Sequence, residues 1–332
     1  MFISAKTRRR FTTSGLCLAV ALPVCVTAAL AFAQDTYPSK PVRLVVGFPP
    51  GGGIDLAARV FGSRLQEALN APFVVDNRPG ASGLLAAEFV AKSAPDGYTL
   101  LVGAAGQMTI NPALFAKLPY DPIRDFAPVA TLTQFPMVIA VHPSLPVKSL
   151  KELIGFARAH RGAVNYSHGG AAHQIAAEML NQAAGTDMLS IPYKGGAPAV
   201  GATVAGEIPV TVVDTGAALA QIRAGRLRAL AVTSAQRTPL MPGLPTVAES
   251  GFPGYAITIW SGLFAPAGTP GPVITRLGRE VASAIDSPEM RDKLKGMGVD
   301  PGGIAGEQLT AMMRNDIARY AAIVKAANIR AE

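Results

Sequence analysis

Short apolar runs alternate with segments of helical spacing in the first third of the chain. Residues 42–48 are apolar and β-branched and are bounded by prolines, which predicts a buried strand. In residues 54–69 the apolar side chains recur every three or four positions, which is the spacing of an amphipathic helix. Two more strands are predicted at 73–75 and 98–102, with a second helix between them. This alternation of strand and helix predicts an α/β layer.

The same alternation resumes from Ser149 onward. Ser149 and Glu152 have the spacing of a capping box, which predicts the start of a helix that ends near His160. Strand–helix alternation with short loops is typical of a parallel sheet covered by helices, so two such stretches predict two α/β lobes. The strands predicted in the second lobe are 164–166, 190–193, 210–213 and 227–233, with helices between them.

Two long apolar segments, residues 127–142 and 255–264, separate the two stretches. Each is long enough to form an extended strand that crosses from one lobe to the other. The predicted domains are therefore a first lobe of residues 34–134 plus 256–332, which includes the C-terminal helices, and a second lobe of residues 135–255. Two crossing strands make a hinge, because a few residues can absorb the rotation of one lobe against the other.

The first 33 residues have the order of regions found in a secretory signal peptide. Basic residues open the chain, and an apolar run of residues 16–32 ends in the small-residue pattern Ala31-Phe32-Ala33. The run is short for a transmembrane helix and contains Pro23, so we predict that residues 1–33 are removed on export. The adjacent arginines in Arg8-Arg9-Arg10 also match a twin-arginine signal, so two export routes remain open.

Composition constrains the possible partners and the chemistry. The chain of 332 residues carries a net charge of +8, but four of its basic residues lie in the first 33, which leaves 26 basic against 22 acidic residues. No basic stripe with interleaved aromatic residues is present, so nucleic acid is not a predicted partner. Both cysteines, Cys17 and Cys25, lie in the predicted signal peptide, so the mature protein has no thiol. The sequence predicts neither a metal site nor a cofactor.

Short motifs in a definite order lie along the mature chain. They are Phe48-Pro49-Pro50-Gly51-Gly52 with Asp55, Asn77-Arg78-Pro79-Gly80-Ala81, Pro95-Asp96-Gly97-Tyr98-Thr99-Leu100, Leu118-Pro119-Tyr120-Asp121-Pro122, Pro192-Tyr193-Lys194-Gly195, Pro245-Thr246-Val247, and Trp260 with Gly262-Leu263-Phe264-Ala265-Pro266. Together they resemble the extracytoplasmic binding receptors of tripartite tricarboxylate transporters, the Bug or TctC-like family. The resemblance covers essentially the whole mature chain.

The resemblance implies a periplasmic-binding-protein fold, with a ligand cleft between the two lobes. It also implies a small carboxylate ligand and transient contact with integral membrane transporter subunits. On this interpretation the protein is periplasmic and monomeric and is not an enzyme. A ligand-sensing subunit for a signalling partner and a hydrolase remain alternatives, although the sequence has no G-x-S-x-G and no H-E-x-x-H motif.

The first candidate binding element is the glycine turn between the first strand and the first helix. A helix start presents unpaired N–H groups and a partial positive charge, and glycines let an anion approach the backbone closely. We predict that Pro50, Gly51, Gly52 and Gly53 bind a carboxylate in this way, with a tight turn without a ligand as the alternative. Asp55 is interpreted as a residue that orients the turn or accepts a hydrogen bond from the ligand.

A second glycine turn, Ser167-His168-Gly169-Gly170, precedes a helix of the second lobe and predicts the same kind of site on the opposite side of the cleft. The corresponding loop of the family is longer and ends in a histidine just before the helix, near the position of His173 here. His168 would add a positive charge when protonated, and a solvated loop histidine is the alternative.

The ends of strands supply the remaining candidates, because ligands bind at the carboxyl ends of strands in open α/β sheets. Asp214 and Thr215 end an apolar strand and are predicted to face the cleft, with helix capping by Asp214 as the alternative. Gln107 and Thr133 follow the same logic. Gly195, which ends one of the family motifs, completes the predicted ligand-binding set.

Overall fold

The structure of the protein is a computed structural model that describes residues 1–2 and 37–329. The signal peptide prediction, residues 1–33, falls almost entirely outside this part of the chain and stays a prediction. All the helices and strands given below lie in one unit, which begins at Lys40. None of the helices in the described ranges has both the length and the apolar character needed to cross a membrane.

Three parallel strands form the first part of the sheet, in the order β2-β1-β3. They are β1 (Val42–Val46), β2 (Phe73–Asn77) and β3 (Thr99–Ala104), and the helices α1 (Gly53–Leu69) and α2 (Leu84–Ala91) connect them. Four of the five residues of β1 are buried, as the continuous apolar run predicts for a central parallel strand. The strands and helices predicted for this part of the chain are therefore confirmed.

Three more parallel strands form the second part of the sheet, in the order β6-β5-β7. They are β5 (Asn165–His168), β6 (Leu189–Pro192) and β7 (Val210–Asp214). A fourth strand, β8 (Arg228–Val232), completes this part. After β3 come a π-helical segment (Gly106–Ile110) and the helices α3 (Asn111–Leu114), α4 (Leu150–Ala159), α5 (Ala171–Ala184), α6 (Gly196–Val204) and α7 (Thr215–Arg223).

A single long strand, β4 (Phe126–Val141), runs through both parts of the sheet. Up to Pro136 it pairs antiparallel with β9 (Thr258–Pro266), and from Met137 onward it pairs antiparallel with β7 on one side and β8 on the other. The residues from Met137 to Val141 are fully buried, because this part of the strand is paired on both edges and covered on both faces. The sheet is therefore mixed, and not parallel throughout as the alternation of elements alone predicts.

The chain returns from β8 to β9 beside the point where β4 changes partner. Thr233 N–H donates to the carbonyl oxygen of Met137 (3.0 Å), and Ile257 N–H donates to the carbonyl oxygen of Thr233 (2.9 Å). The Thr233 hydroxyl also donates to the carbonyl oxygen of Ile257 (2.8 Å). Thr233 thus connects the outgoing and the returning segments at one junction.

The C-terminal helices are α8 (Gly271–Asp286), α9 (Pro288–Gly296) and α10 (Gly306–Ala326), and a short strand, β10 (Asp300–Pro301), pairs with β4. The first half of α10 packs in the core of the first part of the sheet, through side chains that include Leu309. Its second half packs in the core of the second part, through Tyr320, Ile323 and Val324. The last helix therefore contacts both cores, whereas the sequence places the C-terminal helices on the first lobe alone.

Candidate functional site

The first glycine turn is exposed, and the buried side chain of Asp55 accepts a hydrogen bond from its backbone. Asp55 lies in the first turn of α1 and is 1% exposed. Its Oδ2 accepts hydrogen bonds from Gly51 N–H (2.9 Å) and Arg59 Nε (3.0 Å), and its Oδ1 accepts one from Asn77 Nδ2 (2.9 Å). Asn77 Nδ2 also donates to the carbonyl oxygen of Phe48, 3.1 Å away, at the other end of the turn. These contacts are what an orienting role for Asp55 requires.

The charge on Asp55 is maintained by its hydrogen bonds. Burial by itself would raise the pKa of this carboxyl. The hydrogen bonds from Arg59, Gly51 N–H and Asn77 outweigh burial and hold the pKa of Asp55 below its usual value. Asp55 is therefore ionised at neutral pH, and its hydrogen bonds to the turn are charge-assisted.

Four helix starts lie at or near the predicted site residues, and none of the four has a side-chain cap. The residues that precede α1, α5 and α6 are Gly52, Gly170 and Gly195, which have no side-chain acceptor, and Asp214, which precedes α7, makes no side-chain hydrogen bond to it. The first N–H groups of a helix have no partner within that helix, and the start of a helix is electropositive. Each of these starts therefore offers hydrogen-bond donors to a group outside the helix.

The three starts in the second part of the sheet touch one another. A methyl group added to Gly169 would lie 2.3 Å from the backbone nitrogen of Gly196, so the turns before α5 and α6 pack backbone to backbone. A methyl group added to Gly196 would lie 3.2 Å from Cβ of Ala217, in the first turn of α7. Glycine is required at position 169 because of this close approach.

β4 brings the start of α1 close to the start of α7. A methyl group added to Gly53 would lie 3.1 Å from the ring of Phe135. The hydroxyl of Thr215 donates to the carbonyl oxygen of Pro136, 2.9 Å away. The starts of α1 and α7, which are separated by more than a hundred residues, are therefore both within contact range of the segment where β4 changes partner.

Several predicted site residues are enclosed, and their side chains have partners inside the protein. Gln107 is fully buried, where its Oε1 accepts from Ala104 N–H (2.9 Å) and its Nε2 donates to the carbonyl oxygen of Gly83 (2.8 Å). Thr133 Oγ1 lies 2.6 Å from Ser261 Oγ. Ser167 Oγ donates to the carbonyl oxygen of Ala199 (2.9 Å), and it also lies within hydrogen-bond distance of Thr203 and Thr211. Like Asp55 and Thr215, these residues are buried. Of the other predicted site residues, Pro50, Gly51, Gly52 and Gly53 are exposed, and Gly169, Gly170, Gly195 and Asp214 are half-buried.

His168 is also enclosed, with 1% of its surface exposed. Its Nε2 lies 2.8 Å from Ser190 Oγ, and its Nδ1 lies 3.1 Å from the carbonyl oxygen of Gly170. Burial lowers the pKa of His168 to about 4, although the hydrogen bond to Gly170 acts in the opposite direction. His168 is therefore neutral near pH 7 and does not supply the positive charge that the sequence suggests.

We expect His168 to make the protein less stable in mild acid. An unfolded histidine has a pKa of about 6.5, so between about pH 6.5 and pH 4 the unfolded chain binds more protons than the folded one. The free energy of unfolding is therefore unaffected by His168 above about pH 6.5 and falls by about 3 kcal/mol as the pH falls through this window. Urea unfolding of the wild type and of His168→Gln at about pH 7 and about pH 4.5 measures the difference. An equal loss of stability in both proteins would contradict this assignment.

One polar pair at the site includes a residue to which the sequence assigns no role. His173 Nε2 lies 3.2 Å from Asp214 Oδ2, with the side chain of His173 8% exposed and that of Asp214 35% exposed. Asp214 does not cap α7, so the capping alternative for this residue is not realised. The signals for His173 in the sequence are its place in the first helical turn after a glycine turn and the histidine near this position in the family's loop.

A separate cavity of about 690 Å³ is lined by none of the predicted site residues. Its lining includes Gln134, Trp260, Asp300 and Arg319, from β4, β9, β10 and α10. Within residues 37–329 there is also no group of three or more side chains placed to hold a metal ion. The predicted site residues therefore lie at and around the helix starts and not in this cavity.

Comparison with known proteins gives consistent matches over nearly the whole chain. The family model described as tripartite tricarboxylate transporter family receptor matches residues 57–329. Protein BugT of Bordetella pertussis is 35% identical over 305 residues, which cover 90% of this chain and 93% of BugT.

Solved structures resemble this one in sequence and in fold. Rpa4515 of R. palustris, solved with adipate, is 36% identical with a TM-score of 0.74, and the match covers 89% of this chain and 99% of that one. The periplasmic binding protein BugD is 32% identical with a TM-score of 0.70, over 89% of this chain and 100% of BugD. Both likenesses extend through both parts of the sheet.

Proposed function

Because the chain belongs to the family of tripartite tricarboxylate transporter receptors, we propose that it captures a small carboxylate between its two lobes and delivers it to integral membrane transporter subunits. The predicted fold class, two α/β lobes of the periplasmic-binding-protein type joined by crossing strands, is confirmed. The family consists of solute-binding receptors, and we extend this to the proposal that the protein has no enzyme activity.

One observation carries the proposal most directly. The starts of α1 and α7 lie beside β4, and the starts of α5 and α6 lie beside that of α7, so that their backbone N–H groups supply a positive potential. Helix starts of this kind bind anions through backbone donors. We therefore propose that Pro50, Gly51, Gly52 and Gly53 face one end of the ligand and that Gly169, Gly170, Gly195 and Asp214 face the other.

The chemical class of the ligand follows from a relative. Rpa4515 was solved with adipate, which has a carboxylate at each end. A cleft with helix starts on both sides suits a ligand of this type, because each carboxylate meets the electropositive end of at least one helix. We propose a small organic acid with one or two carboxylates as the ligand of this protein.

Binding is proposed to close the two lobes, which we assign to residues 34–134 plus 256–332 and residues 135–255. The junction of Met137, Thr233 and Ile257 is the proposed hinge, because the backbone passes between the lobes there in both directions. A ligand held by turns from both lobes stabilises the closed form, which the transporter then recognises. We further propose that the receptor acts as a monomer.

The proposed location is the periplasm, which agrees with the family and with BugD. Export would depend on residues 1–33, by the general secretory route or by the twin-arginine route, with cleavage before Gln34. This assignment rests on the sequence pattern of a signal peptide and on the family.

A thermal-shift screen of the protein purified from the periplasmic fraction tests the proposed function. Mono-, di- and tricarboxylates are compared with a neutral sugar and a divalent cation. A ligand at a hundred times its Kd is expected to stabilise the protein by about 2.7 kcal/mol, and at least one carboxylate should do so. Stabilisation by the sugar or the cation and by no carboxylate would exclude the proposal.

Replacing Gly52 by valine is expected to weaken carboxylate binding about tenfold or more, which corresponds to about 1.4 kcal/mol. Gly52 has φ −77° and ψ 165°, a conformation that valine adopts readily, and an added methyl group meets only the carbonyl oxygen of Pro49, 3.6 Å away. The fold should therefore be kept while the side chain blocks the approach to the start of α1. Titration calorimetry measures the affinity.

The control for this variant is Gly155→Val, an exposed position in α4 with open space around it. Binding by the control should equal that of the wild type, and both variants should keep the melting temperature within a few degrees, as expected for changes below about 1 kcal/mol. Unchanged affinity in the Gly52 variant would remove the first glycine turn from the site.

A further inference from the structure

A carboxylate of the protein itself lies among the proposed anion-binding groups. Asp214 stands at the end of β7 and immediately before α7, the position from which an aspartate usually caps a helix, yet its side chain makes no capping hydrogen bond. About a third of the side chain is exposed. Asp214 therefore presents a negative group at the place where a carboxylate ligand is proposed to bind.

His173 lies directly beside the Asp214 carboxylate. It lies in the first turn of α5, it is 94% buried, and its Nε2 is 3.2 Å from Asp214 Oδ2. This distance is that of an ion pair, but the direction does not give a hydrogen bond, and neither ring nitrogen has a hydrogen-bond partner among the described residues. Buried polar groups are nearly always paired, so the pair is an incomplete network.

Of the two side chains, only the Asp214 carboxylate can be reached by a ligand, because the histidine ring is enclosed and the aspartate is partly exposed. A second carboxylate placed beside Asp214 would be repelled by it, which weakens the attraction of the nearby helix starts. A hydroxyl or an ammonium group on the ligand would instead donate a charge-assisted hydrogen bond to Asp214. The protein carboxylate therefore selects for a ligand that carries both a carboxylate and a donor.

We infer that Asp214, positioned by His173, makes this receptor prefer hydroxy- or amino-substituted carboxylates over their unsubstituted counterparts. The inference rests on the proposed function and specifies the class of ligand for the same site. The carboxylate of the ligand interacts with the backbone at the helix starts, and its donor group interacts with Asp214. The interaction of the ligand's carboxylate with the backbone and that of its donor group with Asp214 can be tested separately.

Titration calorimetry on the full exported protein with matched ligands tests this inference. Succinate is compared with malate and aspartate, and adipate with 2-hydroxyadipate and 2-aminoadipate. In at least one series, whichever of the hydroxy and amino acids binds more tightly should bind about tenfold more tightly than the unsubstituted acid, a difference of about 1.4 kcal/mol. A hydroxyl preference and an ammonium preference are distinguished within each series.

The variant Asp214→Asn keeps an acceptor oxygen but removes the negative charge. We expect it to bind the unsubstituted acid more tightly and the amino acid more weakly, so that the preference falls about tenfold. His173→Gln should lower the preference without weakening the binding of the unsubstituted acid, because it frees the orientation of Asp214. The control is Asp187→Asn. Asp187 is exposed and precedes the first residue of β6, whereas the proposed site lies at the carboxyl ends of the strands, so the ratios of affinity within each series should be unchanged.

The wild-type comparison decides the question even if a variant fails to fold. Carboxylate binding with no preference for substituted acids in either series would overturn this inference and leave the proposed function standing. An unchanged preference in a folded Asp214→Asn variant would also overturn it. If no carboxylate binds the wild type, the proposed function itself fails, and the inference fails with it.

Discussion

Replacing Gly169 by alanine is expected to destabilise the protein by about 3 kcal/mol or more. The new methyl group would lie 2.3 Å from the backbone nitrogen of Gly196 and 2.4 Å from the carbonyl carbon of Gly195. Both neighbours are backbone atoms, so a change of rotamer cannot relieve the overlap, and the turns before α5 and α6 must move apart. Chemical denaturation measures the loss, and calorimetry should show weaker carboxylate binding, because two of the converging helix starts are displaced.

The matched control is Gly155→Ala, in the exposed part of α4. An added methyl group there has no atom within 4 Å, and alanine favours a helix over glycine by about 1 kcal/mol. The control should therefore be as stable as the wild type or slightly more stable. A Gly169→Ala protein with unchanged stability would show that the two turns are not packed backbone to backbone in solution.

The variant Asp55→Ala is expected to cost about 3 kcal/mol of stability and to weaken ligand binding. It removes charge-assisted hydrogen bonds to Gly51 N–H, Arg59 and Asn77, and it also removes a negative charge from the start of α1. The first glycine turn then loses the hydrogen bond that joins Gly51 N–H to a side chain in the first turn of α1. Chemical denaturation and calorimetry measure the two effects.

Glu88→Ala provides a control with a similar loss of charge. Glu88 pairs with Lys92 four residues later in the chain, but this pair lies on the surface. Surface pairs of this kind contribute about 0.5 kcal/mol, so the control should lose little stability and no affinity. If the two variants behaved alike, Asp55 would be an ordinary surface acid and the proposed orienting role would be wrong.

Much of the fold was predictable because local patterns decide it. The apolar run at 42–48 corresponds to β1, and the helical spacing at 54–69 corresponds to α1. The Ser149 half of the capping box before α4 is formed, since Ser149 Oγ accepts from Glu152 N–H, while the Glu152 carboxylate accepts from Lys148 N–H. Periodicity and capping act within a few residues, so they can be inferred from the sequence without knowledge of the tertiary structure.

The neighbours of each strand were not predictable in the same way. The pattern identifies β7 and β8 as apolar strands, but it does not indicate that β4 lies between them. It also does not indicate that α10 packs in two cores, since an apolar side of a helix is compatible with any apolar surface. Pairing and packing partners depend on contacts between residues far apart in the chain.

Part of the candidate site was predictable from local sequence, and part of it depends on tertiary contacts. The glycines of both turns can be identified from the sequence, because a glycine-rich segment between a strand and a helix lets a ligand approach the backbone at the start of the helix. Whether a polar side chain at a strand end faces the ligand or the interior cannot be found in this way. Gln107, Thr133 and Ser167 have the same sequence context as Asp214, yet they are buried and hydrogen-bonded within the protein.

The amino-acid sequence alone determined the family, the alternation of strands and helices, and the two glycine turns, because these are properties of neighbouring residues. Only the tertiary structure decided that His168 is neutral, that Asp214 is open, and that His173 lies beside it. The physical reason is that burial and the distance between charges set the state of a polar group, and both depend on residues brought together by folding.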